Sequence, residues 1–204
     1  MIAGYRSAPL VGARRQPPDR KHILRRLLAL ALLGMTLSVV ASAAYADGAD
    51  PTAFAHLGPI LVHGNGADNL LLGAGVFDLR HDPSGAGTVE YRFGRKVFVI
   101  GFALGLMANT DGGLFGYVGA YTDLSHKKLY VTPQLGMGGY REGSSKDLGG
   151  VFQFRQSLDL AYRLDNGHRL GVRVAHISNA SIHPINPGEE ELLLIYSFPL
   201  GPYL

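Results

Sequence analysis

Cysteine is absent from the 204 residues, which excludes disulfides, thiolate nucleophiles and cysteine-based zinc sites. Tryptophan is absent too, so the aromatic surface comes from 10 Tyr and 9 Phe. Charge is sparse at 17%, against 47% hydrophobic residues. The formal charge of +3 does not point to nucleic acid. Much of it comes from Arg6, Arg14, Arg15, Arg20, Lys21, Arg25 and Arg26, set against Asp19 alone. Without that segment the chain is neutral to mildly acidic. Past residue 46 there is also no run of 18 apolar residues, which excludes a helical membrane protein. Glycine is abundant: 28 residues is about twice the ordinary share. With no collagen-like period, that suggests tight turns or a crowded barrel lumen.

The N-terminus reads as an export address. Arg20 to Arg26 is a basic stretch, Leu27 to Val40 an apolar run, and Ala44-Tyr45-Ala46 a small-x-small cleavage pattern. Residues 1–46 are therefore expected to be an N-terminal extension and cleaved signal peptide, and 47–204 a single folded domain. The apolar run is short for a membrane span of roughly 20 residues.

The mature chain repeats with period two, in segments of about ten residues between turn signals. In Val151 to Leu164, Phe152, Phe154, Leu158, Leu160, Tyr162 and Leu164 share one face. Gln153, Arg155, Ser157, Asp159 and Arg163 share the other. Asp165-Asn166-Gly167 then marks a tight hairpin, and His168 to Ile177 alternates again. Further strands are expected at 69–79, 88–93, 95–108, 114–122, 128–139 and 191–200. The facing of 69–79 is ambiguous. Eight such strands fit a soluble barrel or an eight-stranded antiparallel transmembrane β-barrel of the outer membrane. The large aromatic apolar face, backed by small and charged residues, favours lipid outside and a polar lumen. Short turns at 94–95, 125–127 and 166–167 then belong to the periplasmic rim. Longer segments at 81–87, 141–148 and 179–189 belong to the outer rim.

His176 falls at the outer end of the seventh strand and shares its face with Val172, Val174 and Ser178. Glu190 opens the eighth strand and shares its face with Leu192, Leu194, Tyr196 and Phe198. Both faces are the lipid-facing ones, where a Glu and a His are costly unless paired. Serine is a weak nucleophile that needs a base within reach and an acid to orient that base. Ser178, His176 and Glu190 can fill those roles, with Asn179 and the turn amides after it as oxyanion donors. Spacing alone equally allows rim residues beside a solvated acid run, Glu189-Glu190-Glu191. The remaining histidines (His56, His63, His81, His126, His168 and His183) show no metal-ligand spacing and read as loop or rim residues.

His176-Ile177-Ser178-Asn179-Ala180 followed by Asn186-Pro187-Gly188-Glu189-Glu190 resembles the lipid A 3-O-deacylase (PagL) family. The hairpin at Asp165-Asn166-Gly167 and Gly171-Val172-Arg173, and Leu148-Gly149 before it, are similar to that family as well. The similarity is good over about residues 128–200. The resemblance implies an outer-membrane barrel that hydrolyses the 3-O-linked hydroxyacyl ester of lipid A. No cofactor is implied. Its partners would be lipid A or lipopolysaccharide as substrate and outer-membrane lipid around it, with no nucleic acid; a homodimer is compatible with it. The family's histidine, serine, asparagine and glutamate fall on His176, Ser178, Asn179 and Glu190. Two departures stand out: Glu189 and Glu191 flank the expected acid, and Ser181 stands where the family often has Gly. The competing function is a non-enzymatic small barrel in adhesion or membrane integrity, and a third reading is a soluble lipid-binding barrel.

Overall fold

The computed structural model describes residues 50–201; the expected signal peptide lies outside the described residues. Among the described residues there are eleven strands: β1 (Ala53–Leu57), β2 (Ile60–His63), β3 (Asn69–Phe77), β4 (Ser84–Arg92), β5 (Gly101–Asn109), β6 (Leu114–Tyr121), β7 (Leu124–His126), β8 (Leu129–Arg141), β9 (Phe152–Arg163), β10 (Arg169–Ser178) and β11 (Glu189–Pro199). Eight of them, β3, β4, β5, β6, β8, β9, β10 and β11, pair antiparallel in a ring. The β8–β9 and β11–β3 pairings close the ring, so none of its eight strands is left as an open edge.

The wall is turned outward relative to a soluble protein. On β10, Val172 is 43% exposed while its neighbour Arg173 is fully buried. On β4 and β5, Val89 and Leu104 face out and Glu90 faces in. An apolar exterior around a charged interior is the signature of a membrane-spanning barrel. Inside, Arg173 Nε donates to Asp159 (2.6 Å) and Arg173 Nη2 donates to Glu90 (3.0 Å). Arg92 reaches the same two carboxylates at 2.7 Å each. Tyr117 also donates to Glu90 (2.6 Å), and Arg155 pairs with Glu191 (2.6 Å). Glycine makes this network fit. A Cβ at Gly105 would land 2.1 Å from the Tyr117 ring.

Several boundaries differ from the sequence reading. Strand β4 starts at Ser84, because the Gly85 and Gly87 positions read as loop pair normally with β3. That shortens the first long loop to residues 78–83. Strand β5 starts at Gly101, because 93–100 folds into a tight turn held by the Val97–Ile100 bridge. Strand β11 starts two residues early, at Glu189. The ambiguous 69–79 segment resolves with Leu71 and Phe77 inward and Leu72 outward.

The β1–β2 hairpin was not legible in the sequence. Strand β6 pairs with β5 as far as Tyr121, and its continuation β7 pairs instead with β2. The hairpin thus prolongs the wall at the short-turn end. His63, read from sequence as a loop or rim residue, is buried there. Its ring lies 2.7 Å from both Thr52 Oγ1 and Ser125 Oγ and stacks on Tyr130.

Two predictions follow from this interior. Arg173→Leu strands Glu90 and Asp159, and breaking such a buried pair costs about 3–5 kcal/mol. A urea titration in lipid vesicles should show a lower unfolding midpoint, and an unchanged midpoint would contradict the network's role. Burial holds the His63 imidazole down to about 4, an effect that nearby Asp123 only partly offsets. The unfolded ring titrates near 6.5, so above that pH the ring adds no pH dependence. Between about 6.5 and 4 only the unfolded form gains a proton, and docking of the hairpin weakens. Amide exchange over residues 53–63 should accelerate on acidification across that window, and His63→Gln should flatten the profile.

Candidate active site

Strands β10 and β11 are hairpin neighbours whose register pairs His176 with Glu190 directly. Parity puts both on the outward face, with Val174 and Leu192 one step below them. His176 Nδ1 lies 3.8 Å from Glu190 Oε1. Their side chains are 42% and 30% exposed, so the pair borders the apolar wall without sinking into it. Ser178 occupies the next outward position of β10 and is nearly buried. Its cross-strand partner on β9 is Phe154. Among the described residues the Ser178 hydroxyl makes no hydrogen bond, so the structure pairs His176 with Glu190 but does not join Ser178 to the imidazole. Hydrogen bonds of this kind often tighten only with substrate bound.

Facing also sorts the acid run. Glu189 and Glu191 both point into the lumen and are 1% exposed. Glu191 is taken by Arg155, and Glu189 accepts from the Asp78 N–H (3.2 Å). Glu190 alone reaches the outer face. There it also meets Arg80 Nε at 3.6 Å, from the 78–83 loop. That second partner was not anticipated from sequence, since the loop's distance in the chain hides it.

The imidazole is held by two neighbours. Glu190 stands on its Nδ1 side. Gly188 also lies against the ring: a Cβ there would sit 2.8 Å from His176 Cε1 and 3.3 Å from Nε2. With φ of +62°, residue 188 is a glycine position on both counts. Glu190 approaches the ring through Nδ1, which leaves Nε2 as the nitrogen not paired with the carboxylate.

Asn179 was expected as an oxyanion donor, and the structure gives its hydrogens other partners. Its Nδ2 donates to Leu148 O (2.8 Å) and Ile185 O (2.7 Å), and its backbone N–H donates to Asn186 Oδ1 (2.9 Å). It is fully buried, a clamp between the 142–151 and 179–188 loops. Directly after it, Ala180 and Ser181 are both left-handed, with φ of 52° and 63°. Ser181 thus keeps a glycine-like backbone although it carries a side chain. Among the described residues the N–H groups of Ala180 and Ser181 have no acceptor.

A membrane barrel with a His–Glu pair and a serine on one outward patch defines a candidate hydrolase of the membrane surface. Comparison with known proteins narrows the class. The model of the lipid A 3-O-deacylase (PagL) family matches residues 75–199, and the chain belongs to that family. A stretch of 74 residues is 31% identical to the lipid A deacylase PagL of Bordetella bronchiseptica. It spans 35% of this chain and 42% of that protein, less than half of that relative's length. The crystal structure of the outer membrane enzyme PagL aligns with a TM-score of 0.51 at 16% identity. That alignment covers 65% of this chain and 99% of the other, and shows the shared barrel fold.

If Asn179 is a clamp, Asn179→Ala should raise protease cleavage in the 142–151 and 179–188 loops while the barrel strands stay protected. Unchanged loop cleavage would show that the side chain does not hold them.

Proposed function

We propose that the chain is a cofactor-free serine esterase of the outer membrane that removes the 3-O-linked hydroxyacyl chain of lipid A. The observation that carries this is the His176–Glu190 pair across β10 and β11, with Ser178 next on the same outward face, in a member of the deacylase family. The longer loops lie at the same end of the barrel. In outer-membrane barrels such loops face outward, which supports a position for the patch at the outer leaflet, where lipid A resides.

The chemistry runs as an acyl transfer. Ser178 Oγ attacks the ester carbonyl as its proton passes to His176 Nε2. Glu190, on the Nδ1 side, orients the ring and stabilises the imidazolium. The free amides of Ala180 and Ser181 are the donors best placed for the developing oxyanion. His176 then protonates the departing sugar oxygen, which leaves an acyl-serine. A water activated by the same imidazole releases the 3-hydroxy fatty acid and restores the serine. Asn179 supports the reaction by holding the turn that carries these amides. Phe154, Val174 and Leu192 around the patch offer apolar surface for the acyl chain while the rest of the lipid stays in the bilayer.

Mass spectrometry of lipid A from cells producing the protein should show loss of one 3-hydroxyacyl chain. Ser178→Ala and His176→Asn should abolish it. Glu190→Ala should slow it less, since the orienting acid is the least essential member of such a unit. Normal deacylation by both the serine and histidine variants would remove the triad. A larger loss from Glu189→Ala than from Glu190→Ala would overturn the facing argument.

A further inference from the structure

Outside the ring of eight strands, the short-turn end carries an apolar protrusion that the active site does not use. Its tip is the hairpin turn between Val97 and Ile100, closed by mutual backbone hydrogen bonds of 2.9 and 3.0 Å. Phe98 sits at the first central position with φ of +57°. A two-residue hairpin turn with that conformation ordinarily carries glycine there. A bulky residue at positive φ is strained, and strain of this kind persists only where surrounding contacts impose it.

Those contacts are present on the inner side of the turn. Gly94 N–H donates to Asp68 (2.7 Å) and Gly94 O accepts from Gly66 (2.9 Å). Lys96 donates from its backbone to Asn65 (2.8 Å) and from its ammonium to Asp123 (3.0 Å). The turn is bolted to the barrel floor, yet its tip faces out. Phe98 is 76% exposed and Val97 59%. The Phe98 ring packs edge-on against Phe54 of β1, itself 47% exposed, at 6.5 Å between centroids. From the tip, Ile100, Phe102 and Leu104 continue the exposed apolar face up β5 without a break. Arg95 is exposed beside the tip.

We propose that Phe54, Val97 and Phe98 form an aromatic foot inserted at the headgroup–acyl boundary of the periplasmic leaflet, with glycerophospholipid as its occupant. Continuity with the lipid-facing wall identifies the occupant. A surface that runs unbroken into a belt already solvated by acyl chains meets the same lipid, and Arg95 lies level with the phosphates. The hairpin β1–β2 supplies Phe54, which gives this extra pair of strands a role that closing the barrel does not require. A rigid foot at one interface fixes how deeply the barrel sits, and so the height of the outward patch at the other.

The absence of tryptophan makes the test direct, because any introduced Trp is the sole reporter. Phe98→Trp is refolded into phosphatidylcholine–phosphatidylglycerol vesicles, with the folded band on unheated gels confirming the barrel. Emission should be blue-shifted, protected from acrylamide, and quenched by phospholipid brominated near the headgroup end of the acyl chain. A water-like emission, quenched by acrylamide and indifferent to bromine, would overturn the proposal and point to a periplasmic partner or bare solvent. If the strained turn rejects Trp at 98, Val97→Trp reads the same boundary with the same two outcomes.

Discussion

Everything in this barrel depends on keeping two arginines and two carboxylates together in the lumen. Arg92, Arg173, Glu90 and Asp159 come from strands β4, β9 and β10, and each ion meets both of its opposites. None of them can be turned outward, since an unpaired charge against lipid costs several kcal/mol. In a strand, that requirement settles the facing of every other residue. A one-residue slip of β10 would put Arg173 in the bilayer and Val174 among carboxylates. The network therefore specifies register as much as it adds stability, in line with the modest net worth of buried ion pairs.

The geometry of the candidate site inherits that constraint. With Arg173 inward, His176 and Ser178 must face outward. With Glu191 drawn inward to Arg155, Glu190 must do so too. Three consecutive glutamates thus divide their labour by parity, two inside and one outside. The outer carboxylate sits where a free charge is expensive, and its two neighbours, His176 and Arg80, are both cations or potential cations. Pairing with an imidazole lowers the cost of placing both groups at the membrane surface.

Much of this was legible in the residues because period two is a direct readout of facing. The alternation in 152–163, with Arg155 and Asp159 opposite Leu158 and Leu160, is enough to draw an inside and an outside. The same parity separates Glu190 from its two flanking glutamates by residue order alone. What stayed hidden has physical causes. Glycines at 85 and 87 carry no pattern, so β4 looked shorter than it is. The segment 53–63 is interrupted by Gly58 and Pro59 and alternates poorly, which concealed the hairpin and the burial of His63. The use of Asn179 as a clamp depends on carbonyls at 148 and 185, contacts that no local spacing encodes.

The central claim is that Ser178 is a nucleophile activated by His176 on the outer wall. Reaction of the refolded protein with a lipophilic fluorophosphonate, followed by peptide mass mapping, tests it most directly. The account predicts a single adduct on Ser178 that disappears in His176→Asn. An adduct on another serine, or labelling of Ser178 undiminished without His176, would contradict it.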